Sequence, residues 1–157
     1  MTAPLFEEKQ KFTQWWLYAL LLLPLGVMIY KILVNGSYNL VSTLIQSLVL
    51  LLIVGFIFMI RLETRISEEG ISVRLFPFMP KPKQYDWDML HKVYVRQYSP
   101  LAEYGGWGLR YSLKNGRAYN IKGDKGIQLE LKDGHKLLIG TQKEEAVQQI
   151  LALLNKN

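Results

Sequence analysis

The string in this chain best suited to contact a ligand is Tyr104-Gly105-Gly106-Trp107-Gly108. Three glycines let backbone approach a bound group closely, and Tyr104 and Trp107 add flat faces with polar handles. The same letters describe a glycine-bent loop or β-bulge with Trp107 packed as a plug, and this structural account is the stronger of the two. The string is no phosphate fingerprint, because the G-x-G-x-x-G spacing is absent and no helix is predicted to begin there. His91 and His135 are the only histidines, and there are no cysteines. Disulfides and thiolate metal sites are therefore excluded, and His91 beside Asp86 and Asp88 makes a poor zinc set. No nucleophile elbow, P-loop or H-E-x-x-H motif occurs. The reading is a non-enzyme with no catalytic, metal-ligating or cofactor-binding residues.

Lys114, Arg117, Lys122 and Lys125 form the other cluster, gathered around predicted hairpin turns. Basic groups held near an anionic bilayer gain roughly 1 kcal/mol each. A solvated basic face explains them equally well, and both readings stay open. Nucleic acid is not an expected partner, since no recognition element accompanies the charge.

Short strands must position these residues. Thr64–Ser67 and Ile71–Phe76 flank Glu68-Glu69-Gly70 as a hairpin, while Pro77, Pro80 and Pro82 make Phe78–Lys83 an edge or loop. Residues 92–98 have β character, and Leu109–Leu113 runs through Asn115-Gly116 into a return strand, Arg117–Ile121. Ile127–Leu131 alternates and turns at Asp133-Gly134 toward Leu137–Ile139. A three-residue loop, Lys132–Gly134, pairs Leu129 with Leu137 and Ile127 with Ile139, placing every apolar side chain but Leu138 on one face. Thr141-Gln142-Lys143-Glu144 fits a capping box for a final helix, whose Val147, Ile150, Leu151 and Leu154 share one stripe.

Ahead of this lies a different kind of sequence. Residues 1–60 hold Lys9, Lys11 and Lys31, three of the chain's 19 Lys and Arg. Trp15–Val34 and Leu40–Ile60 are each about 20 residues of nearly unbroken apolar sequence, the length that crosses roughly 30 Å of hydrocarbon. Asn35–Asn39 between them is uncharged and rich in turn formers. A transmembrane helical hairpin is predicted, with helices over 15–34 and 40–60. Glu7, Glu8 and the lack of a cleavage site argue against a signal peptide. Lys9 and Lys11 before the first helix, and Arg61, Arg65 and Arg74 after the second, predict both termini on the cytoplasmic side of a cell membrane. Trp15, Trp16 and Tyr18 suit the inner interface, Tyr30 and Tyr38 the outer one. Ser42, Thr43, Gln46 and Ser47 read as hydrogen-bonding glue between helices, and no acid, histidine or arginine marks an ion path.

Three blocks in 61–157 carry a resemblance: Thr64-Arg65-Ile66-Ser67-Glu68-Glu69-Gly70-Ile71, then Tyr85-Asp86-Trp87-Asp88-Met89-Leu90 leading to Val93, then Glu103–Arg110 with Gly140-Thr141-Gln142. In these the chain resembles the bacterial pleckstrin-homology-like family, especially members with two membrane helices in front of the domain. The resemblance implies an α+β protein: an N-terminal transmembrane hairpin over residues 1–60, then a cytoplasmic PH-like barrel or sandwich of about seven strands, closed by a C-terminal amphipathic helix, over 61–157. It implies no catalytic residues. Lys92–Arg96 lacks the flanking basic residues of a phosphoinositide motif. The expected role is an interaction module for protein or anionic lipid held at the bilayer. The alternative is an accessory subunit of a transporter or enzyme that docks through its helices.

Overall fold

The first element is a strand written in polar letters. Phe6-Glu7-Glu8-Lys9-Gln10-Lys11 forms β1 (Phe6–Lys11), with Phe6, Glu8 and Gln10 turned inward and Glu7, Lys9 and Lys11 outward. The computed structural model describes residues 3–12, 15–35 and 39–156. β1 pairs antiparallel with β2 (Arg61–Ile66), from Phe6↔Ile66 to Lys11↔Arg61. β2 continues through the 67–69 turn into β3 (Gly70–Phe76), and β3 pairs with β4 (Lys83–Asp86). This sheet of order β1-β2-β3-β4 turns Leu62, Ile66, Ile71, Val73, Leu75 and Tyr85 inward by simple alternation.

A second sheet follows a single 3-10 turn at Trp87–Met89. It contains β5 (Leu90–Gln97), β6 (Gly108–Ser112), β7 (Gly116–Asn120), β8 (Lys125–Leu131) and β9 (Lys136–Gly140), in the order β5-β8-β9-β7-β6. β8 and β9 pair as the apolar alternation predicts, Leu129 with Leu137 and Ile127 with Ile139. β7 and β9 run parallel, so this sheet is no simple meander. Gln10 of β1 donates to the Gly140 carbonyl at 2.8 Å, while Lys136 at the other end of β9 lines the same groove as Lys83 of β4. β9 therefore runs from the β1 edge of the first sheet toward its β4 edge. α4 (Glu144–Leu153) closes the sandwich against β1, β5 and β8, burying Val147 and Leu151.

Leu138 departs from the sequence expectation. It points away from the main core yet is fully buried, in a second cluster with Tyr98, Tyr104 and Ala118. A short helix, α3 (Pro100–Tyr104), covers that outer face. Tyr98 sits edge-on to Tyr104, 6.0 Å between ring centres, and its hydroxyl accepts a 2.9 Å bond from the Asn120 amide. Burial pushes the Tyr98 hydroxyl up to about 12, against the smaller downward pull of Asn120. The folded state thus holds this proton longer than the unfolded chain, whose tyrosine titrates near 10. The stabilisation is complete below pH ~10 and is lost as pH rises to ~12, an expected fall of about 2–3 kcal/mol. Denaturant midpoints measured across that range should show it, with a shallower fall for Tyr98→Phe.

Two helices lie between β1 and β2: α1 (Trp15–Asn35) and α2 (Leu40–Met59). Pro24, Leu25 and Met28 face Ser47, Leu50 and Leu51, so the pair is antiparallel. Asn39 caps α2 by accepting from the Ser42 amide at 3.1 Å. Residues 36–38 of the expected turn, including Tyr38, and the side chains of Trp15, Trp16 and Tyr18, lie outside the described residues.

The predicted architecture needs three corrections. The chain begins with a strand rather than with a helical hairpin, and that strand belongs to the 61–157 domain: the compact units are residues 1–11 with 61–157, and 12–60. Among the described residues only α2 is long and apolar enough to cross a membrane, because the described apolar stretch of α1, Leu22–Val34, is too short. Among the described residues there are nine strands in two sheets, one with a parallel pair, where about seven strands were expected.

Candidate functional site: a basic groove between the two sheets

β4 ends the first sheet at an open edge, and the starts of β7 and β9 come up against it. Between them lies an open groove of about 540 Å³. Lys83 and Tyr85 line one wall, Arg117, Lys136 and Leu137 the other. Tyr111 comes from β6, Leu113 and Lys114 from the β6–β7 turn, and Asp133 and His135 from the β8–β9 turn.

The turns are what place these groups. Gly116 at φ +76° lets β7 start hard against the Lys136 carbonyl, where a Cβ would collide, and Arg117 then pairs with Leu137. Asp133 accepts the His135 backbone N–H at 2.9 Å, which holds its carboxyl below the usual range, and its other oxygen lies 3.1 Å from His135 Nδ1. The acid of the groove is thus turned toward its own loop.

Four cations converge here, and among the described residues none of them lies within 4 Å of a carboxylate. The Lys83 ammonium sits 5.1 Å from the Tyr85 ring centre. Tyr119 is buried behind Tyr85, and the Arg117 charge acts on both phenols. Burial raises both phenols, with Arg117 pulling against it, and of the two it is Tyr85 that lines the groove with a protonated O–H. A groove with ammonium, guanidinium and phenol donors is suited to an anionic oxygen group such as phosphate or carboxylate.

The expected basic cluster is divided. Lys114 and Arg117 belong to the groove, but Lys122 and Lys125 lie past the opposite end of β7. There the Lys122 carbonyl accepts from Gln142, and the Lys125 ammonium pairs with Glu144 at 3.2 Å. Hairpin turns at both ends of one strand look adjacent in sequence and are separated by its length. Lys83, Tyr85, Tyr111 and Lys136 escaped sequence reasoning. The Lys81-Pro82-Lys83-Gln84-Tyr85 run is a basic–aromatic signal that could have pointed to two of them.

No family model matches the chain, and no curated protein sequence matches it.

The glycine-rich string has a structural job. Gly105 at φ +70° ends α3, its N–H donating to the Leu101 carbonyl and that of Gly106 to the Pro100 carbonyl. Tyr104 is buried, its hydroxyl donating to the Asn115 carbonyl at 3.2 Å. Trp107 is half-buried and donates to the Gly123 carbonyl at 3.2 Å, and the Gly108 N–H is held by the Asn120 side chain at 2.9 Å. No string residue lines the groove. Among the described residues no group of three or more His, Asp or Glu could hold a metal ion.

Proposed function

We propose that this chain is a membrane-anchored binding module that presents its groove to an anionic group. One observation carries the anchoring: Lys11 and Arg61 are cross-strand partners, so the 12–60 insertion leaves the domain and returns to it at one point. An apolar helix of 20 residues lies inside that closed excursion, with 11% of its most apolar stretch buried. α2 crosses the bilayer, with its C-terminal end on the face that carries the domain. Basic residues at both junctions, Lys9, Lys11, Arg61 and Arg65, support a cytoplasmic position for the domain. The groove's donors and the resemblance noted in the sequence both favour binding over catalysis.

The absence of cysteine makes the test direct. In sealed vesicles, an impermeant thiol reagent should modify Asn39→Cys from one side and both Glu7→Cys and Glu68→Cys from the other. Reaction of all three from one side, or release of the chain by alkaline carbonate, overturns the anchoring. In a second arm, inorganic pyrophosphate is titrated onto the full chain. The Lys114→Glu/Arg117→Glu variant should bind at least about tenfold more weakly. Lys122→Glu/Lys125→Glu should leave binding unchanged. Equal loss in both removes the groove from the reading.

A further inference from the structure

The loop between β3 and β4 leaves the sheet at the same end as the helical insertion. Phe76, the last residue of β3, pairs with Arg61, and Arg61 pairs with Lys11. Arg61 itself stands two residues after the end of α2. The base of the loop is thus about 5 Å, one cross-strand spacing, from the chain as it emerges from the apolar helix.

The loop reads Pro77-Phe78-Met79-Pro80-Lys81-Pro82. It turns back at once, the Met79 N–H donating to the Leu75 carbonyl at 2.7 Å. Phe78 stands at the turn with 48% of its surface exposed, and Pro80, Lys81 and Pro82 are exposed after it. Beneath it the Phe76 ring is flanked by two guanidinium groups, Arg61 at 4.9 Å and Arg74 at 5.5 Å. Glu63 is shared between those arginines. Lys81 and Lys83 add further positive charge. Three prolines hold the segment in few conformations, so little entropy is lost when it is captured.

We infer that the 77–82 loop is a second membrane contact, with Phe78 seated in the interfacial layer and Lys81 and Lys83 on anionic headgroups. The inference rests on the anchoring proposed above. Each headgroup layer is roughly 5–8 Å thick, and the loop base, one strand spacing from Arg61, starts only two extended residues of chain beyond α2. An aromatic ring with flanking cations matches that layer: apolar body inward, charge toward phosphate. Lys83, at the loop's end, links the loop to the groove wall.

The test uses the full chain in nanodiscs of phosphatidylcholine with phosphatidylglycerol, and three single-cysteine variants: Pro80→Cys in the loop, Glu68→Cys at the far end of the same sheet, and Leu48→Cys inside α2. With a water-soluble thiol reagent, Pro80→Cys should react about tenfold more slowly than Glu68→Cys, the ratio corresponding to ~1.4 kcal/mol of burial. Adding Phe78→Asp to the Pro80→Cys background should restore the fast rate without unfolding the domain, since Phe78 stands outside the core. Equal rates at Pro80→Cys and Glu68→Cys, with Leu48→Cys protected, overturn the loop contact and leave the anchor standing. Rapid reaction at Leu48→Cys overturns both.

Discussion

Glu8→Ala should destabilise the domain by about 2–4 kcal/mol, the loss expected when two hydrogen bonds to a buried carboxylate go unmade. Glu8 is an inward-facing residue of β1 and is almost fully buried. One of its oxygens accepts the Thr141 hydroxyl at 2.6 Å and the other accepts the Gln142 N–H at 2.8 Å. Thr141 in turn accepts the Lys143 N–H at 3.1 Å, so the carboxylate sets the whole approach to α4. Removing it strands a backbone donor and a hydroxyl, and α4 loses its fixed entry. Glu8→Gln keeps one acceptor and should lose less. Glu7→Ala, one residue away on the exposed face, gives up only surface pairs with Lys9 and Arg65 and should change little. Urea midpoints followed by tryptophan fluorescence in detergent rank the three variants. A Glu8→Ala midpoint equal to that of the wild type would remove β1 from the sheet.

Gly116→Ala should cost about 2–4 kcal/mol and also empty the groove of its arginine. The residue sits at φ +76°, where a side chain is strained by roughly 1–2 kcal/mol. Its Cβ would also run into the Lys136 carbonyl, a backbone group that cannot swing aside. Relief requires β7 to part from β9, carrying Arg117 away from Leu137. Gly134 provides the comparison, with φ +85° and nothing within 4 Å of a new Cβ. Gly134→Ala should therefore show the backbone strain alone. The two thermal midpoints, with pyrophosphate affinity for each, separate strain from collision. Matching losses of stability and affinity in both variants would refute the role given to the close approach of β7 and β9.

Legibility in the sequence follows how local each cause is. Ile127, Leu129, Leu137 and Ile139 fix their register because one slip turns them all to the wrong face, so alternation alone suffices. β1 is hidden because two of its three buried residues are Glu8 and Gln10, and their partners Thr141, Gln142 and Gly140 lie at the other end of the chain. A polar hexamer before an apolar run reads as a flank when those partners are out of sight. Thr141 shows the same limit from the other side. Its spacing to Glu144 suits a cap, but its hydroxyl is committed to Glu8, and α4 starts after Lys143 with no side-chain cap. α3 was within reach: Ser99 accepts the Ala102 N–H, Pro100 opens the helix and Gly105 closes it, all standard boundary letters. The groove was not, because it joins an edge strand to turns from a sheet whose order the sequence does not announce.

The pairing of Lys11 with Arg61 gives this protein an order of assembly. As the chain leaves the ribosome, β1 emerges first and stays single until everything through residue 66 has been made. By then the apolar stretch has already met whatever environment it will occupy. The zipper between the two strands closes only once both have been made, and until then the edge of β2 that carries Leu62 and Ile66 waits without its partner strand.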